Sequence, residues 1–143
     1  MDFEALSFPA DLHYHVEHQV WARVADGVAR VGITSLGVQL AGEIYMCRPK
    51  IVGSLVEQGR SVAVVELAKS IVSVKSPVGG EVVAVNPLLA STPELVHLDP
   101  YGEGWLADLR LLDFAADQPA LLFGEPVLAA MRQHAWLHKA SEG

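Results

Sequence analysis

One cysteine, Cys47, is all this chain has, so no disulfide can form within it and a cytoplasmic setting is expected. Long apolar runs are missing as well. None approaches the roughly 18 residues of a membrane span, and the longest are interrupted by Glu66 and Lys75. The start, Met1-Asp2-Phe3-Glu4, is acidic where a secretory signal would carry positive charge, so none is expected. Cations are scarce: 10 Lys and Arg face 17 Asp and Glu, for a net charge of −7. That balance argues against binding nucleic acid, whose phosphates demand Lys and Arg. Enzyme signatures are lacking too, with no nucleophile beside a base and no phosphate-binding loop. His13, His15 and His18, or His134 and His138 one helical turn apart, lack cysteines or acids at ligand spacing. They are expected to be surface histidines and no metal site is predicted.

What the chain does have is a succession of short, valine-rich segments punctuated by glycine. Trp21–Val24 and Val28–Ile33 flank Asp26-Gly27, a hairpin signal. Thr34 is placed to cap a short helix through Leu40, with Gly42 as a left-handed stop. A strand is expected over Ile44–Cys47, interrupted by Pro49, and another over Trp105–Leu111. Glu125-Pro126 opens a helix running to about Lys139. The expectation is a mainly β protein with short helices and a C-terminal helix. It forms one domain over residues 1–143, with a core over about 17–112 and a helical extension over about 114–140. Trp105 and Trp136 are predicted core anchors.

Between two glycine turns lie Ser61–Leu67 and Ile71–Lys75, both strand-like, and only Ala68-Lys69-Ser70 is short and polar enough to reverse the chain. Lys69 is therefore predicted at or beside a hairpin tip. A lysine on a turn is ordinarily a solvated charge; its surroundings make this one different. Val31-Gly32-Ile33-Thr34, Gly42-Glu43-Ile44, Val64–Lys69, Ser76–Val82, Pro93–Val96 and Asp99–Trp105 together resemble the lipoyl-carrying H proteins of the glycine cleavage system. The resemblance implies a barrel-sandwich hybrid, the hammerhead-like fold of lipoyl and biotinyl carriers. It implies lipoate on Lys69 in amide linkage, attached by a lipoate-protein ligase that recognises the glutamate three residues before and a glycine eleven after, here Glu66 and Gly80. Biotinyl carriers flank their lysine with methionines, whereas Ala68 and Ser70 stand here, so lipoate is the cofactor expected. Lys75 lacks the preceding glutamate and is read as structural. The resemblance thus implies a shuttle protein that is not itself an enzyme.

Some positions depart from the family. Leu67-Ala68 replace Ser-Val ahead of the lysine, and Cys47-Arg48-Pro49-Lys50 replaces an acidic Glu-Leu-Pro-Glu. The tail after Asp113 is longer. These departures resemble the lipoate-binding proteins of sulfur oxidisers, which work with a heterodisulfide-reductase-like complex, and sulfur-bound cargo is the leading expectation. The alternative is an aminomethyl cargo with glycine decarboxylase, aminomethyltransferase and dihydrolipoamide dehydrogenase as partners. Cys47, Arg48, Lys50, Tyr101 and Glu103 are candidate contacts for the arm or a partner. Cys47 is read either as a thiol activated by Arg48 or as a small buried hydrophobe.

Overall fold

The structure, a computed structural model, describes residues 1–142. Its strands are β1 (Asp2–Phe3), β2 (Leu6–Ser7), β3 (His13–His15), β4 (Val20–Ala25), β5 (Val28–Ile33), β6 (Met46–Pro49), β7 (Leu55–Val56), β8 (Ser61–Glu66), β9 (Ile71–Lys75), β10 (Gly80–Val85), β11 (Ala107–Leu111) and β12 (Leu122–Phe123). Its helices are α1 (Ser35–Ala41), α2 (Leu95–Leu98), α3 (Phe114–Asp117) and α4 (Pro126–Glu142). Seven strands form one sheet in the order β12-β3-β4-β5-β11-β10-β7, and three form another in the order β6-β8-β9. Every pairing is antiparallel.

Local signals explain the first half of the chain. Asp26 and Gly27 both have positive φ (52° and 77°), the primed turn that matches the twist of β4 and β5. The Thr34 hydroxyl accepts from the Gly37 amide, and Gly42 closes α1 at φ 80°. The strand expected at Ile44–Cys47 lies instead at Met46–Pro49, and Pro49 sits within it opposite Ala63. Proline is tolerated because β6 is an edge strand of its sheet and has no outer neighbour needing that missing N–H.

The two large sheets share one buried cluster. Cys47, Val62, Ala63, Val65 and Val74 from the smaller sheet meet Ala22, Val31, Val82 and Leu109 from the larger. A second cluster joins Phe8, Leu12, Tyr14, Trp21 and Leu36 to Val127 and Met131 of α4. Each fully buried side chain of this size contributes about 1.5–3 kcal/mol, so α4 is held to the sandwich by Val127 and Met131. The tail is not purely helical as expected: Leu122 and Phe123 pair with Tyr14 and His13, extending the large sheet by one strand. Trp136 also departs from its expected core position. It is 66% exposed, because α4 turns Val127 and Met131 inward at that crossing. Trp105 is half-buried, with the Arg30 guanidinium 3.8 Å above its ring.

Candidate functional site

β8 and β9 form a hairpin whose last paired residues are Glu66 and Ile71. Beyond them the Leu67 amide donates to the Ser70 carbonyl at 2.8 Å, so Ala68 and Lys69 are the two tip residues. Neither has positive φ, so the turn does without the Gly or Asn that a primed turn needs. Ala68, Lys69 and Ser70 are all exposed. Among the described residues Lys69 makes no ion pair and no side-chain hydrogen bond. Its amine is thus sterically open and unengaged at the end of a rigid ladder.

Glu66 and Gly80, the two positions that the resemblance ties to ligase recognition, differ in setting. Glu66 lies on the outer face beside the tip, and its carboxylate Oε1 lies 3.4 Å from Nη2 of Arg48 across β6. Gly80 is buried at the start of β10, between Val56 of β7 and Leu111 of β11. A Cβ there would fall 2.6 Å from the Arg110 carbonyl oxygen and 3.0 Å from Leu109 Cβ. Strand crowding therefore accounts for this glycine without any partner. Gly80→Ala is expected to lower stability in urea unfolding by about 1–3 kcal/mol. A fully stable Gly80→Ala protein would return the glycine to the recognition role that the resemblance implies.

The remaining candidates separate. Arg48 and Lys50 are exposed on or beside β6. Cys47 is 3% exposed and points into the core, and burial pushes its thiol up to about 12. The hydrophobe reading describes it, because an adjacent Arg48 that points to the opposite face cannot lower its pKa. Tyr101 is a clamp: its hydroxyl donates to the Ser7 carbonyl (2.6 Å) and accepts from the Ser35 amide (2.9 Å). Glu103 is exposed, and its carbonyl accepts from the Asn86 amide side chain at 2.6 Å.

A groove missing from the sequence reading runs along the inner side of the hairpin. Its volume is about 380 Å³. Val65, Leu67, Val72 and Val74 form one wall and Leu40 and Ala41 of α1 another, while Glu17, His18, His134 and His138 supply polar groups. The His134 and His138 rings are 4.5 Å apart, and burial lowers the His134 pKa. No sequence signal gathers these residues, which come from separate segments. Among the described residues no group of three or more His, Cys, Asp or Glu is placed to hold a metal ion. The groove's apolar walls and the unengaged Lys69 amine fit a long, mostly hydrocarbon group anchored at the tip.

A β-sandwich presenting one lysine at an exposed hairpin tip is the architecture of a protein that carries a covalently attached prosthetic group. The comparisons make the class specific. A family model for the glycine cleavage H-protein matches residues 12–134. The chain is 37% identical over 134 residues to glycine cleavage system H protein 2 of Aquifex aeolicus, covering 93% of this chain and 83% of that one. It is 43% identical over 112 residues to the glycine cleavage system H protein of Thermobifida fusca, covering 78% of this chain and 88% of that protein. The crystal structure of a glycine cleavage system H protein from Mycobacterium marinum superposes with a TM-score of 0.66 at 32% identity, over 73% of this chain and 86% of that one. The chain belongs to the glycine cleavage H-protein family. Its members carry lipoate on a lysine and are carriers, not enzymes.

Proposed function

We propose that Lys69 is the lipoyl attachment site and that the protein is the H protein of a glycine cleavage system. In this role it carries an aminomethyl group among glycine decarboxylase, aminomethyltransferase and dihydrolipoamide dehydrogenase. One observation carries the attachment site: Lys69 alone among the lysines stands at the tip of the β8–β9 hairpin, three residues after Glu66. In attachment, the Lys69 ammonium first gives a proton to water, and the Nζ lone pair so freed forms an amide with an activated lipoyl carbonyl. The activating group leaves with its bonding pair, and the nitrogen gives a second proton to water. When bound, the lipoyl group would supply a strained disulfide, a two-electron acceptor that can hold cargo on one sulfur, with a thiol left on the other, once a partner enzyme's reaction delivers the electron pair. The chain's own residues present and shelter it. The paired strands limit where the tip can point, and the groove along Val65, Leu67 and Val72 offers the arm an apolar surface away from water. We take the protein to be one cytoplasmic carrier domain, with no helix long and apolar enough to cross a membrane among the described residues.

The names of the relatives favour glycine over sulfur as the source of the cargo. Arg48 and Lys50, cationic where the family is acidic, favour the second reading, a sulfur carrier serving a heterodisulfide-reductase-like complex. Complementation separates the two. In a bacterium deleted for its own H protein, this chain is expected to restore growth that depends on glycine cleavage, and Lys69→Arg is expected not to. A chain that is lipoylated in that host yet fails to rescue growth would move the assignment to sulfur cargo.

A further inference from the structure

The three-stranded sheet has two unlike faces. Its inner face carries Cys47, Val65, Ala63 and Val74, all buried. On the outer face, Arg48 lies beside Val64, and Val64 beside Ser73, in one cross-strand row. Met46, Glu66 and Ile71 form the next row toward the tip. Two residues along from Arg48 and from Ser73, and so on this same face by strand alternation, stand Lys50 and Lys75. Lys50 keeps the alternation beyond the strand end, because its amide donates to the Val62 carbonyl at 2.9 Å. Arg60 flanks the sheet in the turn before β8.

The segment that carries this face inverts the charge of the molecule. Between residues 48 and 75 there are five cations (Arg48, Lys50, Arg60, Lys69 and Lys75) and two acids, Glu57 and Glu66. The rest of the chain has five cations against fifteen acids. Arg48 is the one cation of the five in an ion pair among the described residues; Lys50, Arg60, Lys69 and Lys75 have none. Beside the tip the face also exposes Ile71, at 70%. A cationic sheet face on an acidic protein would be drawn to a negative surface by its near field, with Lys50, Lys75 and Arg60 making that contact at the end of the hairpin away from the tip.

We propose that the outer face of β6-β8-β9 docks onto an acidic rim around the active-site mouth of the enzyme that attaches lipoyl to Lys69. The inference rests on the carrier reading above. It picks the attaching enzyme over later partners for a reason of charge. That enzyme alone meets Lys69 as a cation, and amide formation removes that charge. The unmodified protein is therefore held more strongly than the product, so attachment itself weakens the complex and favours release.

The test uses the full chain with the lipoate-protein ligase of its source organism, lipoate and ATP, followed by intact mass. Wild type is expected to be modified with a kcat/KM that falls as salt rises to about 0.15 M. Lys50→Glu with Lys75→Glu is expected to cut kcat/KM about tenfold, through KM, and to flatten the salt dependence. Lys139→Glu, a charge reversal of half that size on α4, is expected to leave kcat/KM as it is. Unchanged thermal midpoints would confirm that the variants fold, and the milder Lys50→Gln with Lys75→Gln pair would serve if they do not. Equal kcat/KM in wild type and the reversal pair overturns the proposal, as does an equal loss in Lys139→Glu. So does a reversal pair that is attached normally but whose arm is reduced more slowly by dihydrolipoamide dehydrogenase. A wild type that is never modified overturns the carrier reading itself, whereas a modified wild type with indifferent variants overturns the docking face alone.

Discussion

Lys69→Arg is expected to abolish lipoyl attachment completely while leaving the fold untouched. The substitution keeps a long cation at the tip, so any change in docking charge is minimal. It removes the chemistry, because a guanidinium stays protonated and delocalised and offers no nucleophilic lone pair at neutral pH. Ala68, Lys69 and Ser70 are exposed, and the tip's backbone bond from the Leu67 amide to the Ser70 carbonyl does not involve the side chain. Stability should accordingly stay within about 0.5 kcal/mol of wild type. Intact mass after incubation with ligase, lipoate and ATP reads the result directly, and peptide mapping locates any residual label. Label persisting on Lys75, the other lysine of the hairpin, would show that the tip does not select the site.

The largest loss of stability is expected from Trp21→Ala, at about 3–5 kcal/mol. Trp21 is fully buried and ties several parts of the molecule together. Its indole N–H is shared between the carbonyls of Ile33 and Pro100, each 3.2 Å away. Gly32 lies so close beneath the ring that a Cβ there would fall 2.5 Å from Cζ2. The Tyr101 ring lies 5.9 Å from it, centroid to centroid. Removing the indole leaves a cavity between the large sheet and the Asp99–Trp105 loop. That loop should then lose amide-exchange protection before the β8–β9 hairpin does. Trp21→Phe keeps most of the volume but orphans both carbonyls. It should cost less than alanine, yet more than a repacked aromatic alone. A Trp21→Ala loss below about 1.5 kcal/mol in urea unfolding would refute this picture of the second core.

These two residues mark what could be read from the chain. Lys69 was placed at a tip by the strand-like runs on either side, and Thr34, Gly42 and Asp26-Gly27 announced their caps and turn through local chemistry. Such signals act within a few residues, and the structure agrees with them. Tertiary context decided the rest. Pro49 looked like a strand breaker, but an edge strand asks nothing of its missing N–H. Leu122-Phe123 is too short to show a period, and it is a strand only because β3 is there to pair with it. Trp136 was expected inside on hydrophobicity, but Val127 and Met131 define the buried side of α4. Gly80 carried a recognition role by resemblance, whereas its neighbours in the sheet demand a glycine on steric grounds. The groove has no sequence signature, since its walls meet only after β4, α1, the hairpin and α4 have packed.

The burial of Cys47 bears on the carrier in another way. An arm ending in a strained disulfide is vulnerable to any thiolate nearby, and an internal one would be the nearest of all. With its pKa pushed up to about 12 by burial and its sulfur sealed in the core, Cys47 stays a protonated thiol at neutral pH. The scaffold is therefore chemically mute toward its own passenger. It cannot short-circuit the arm by closing a mixed disulfide onto itself, and every exchange at the dithiol is left to the enzymes it visits.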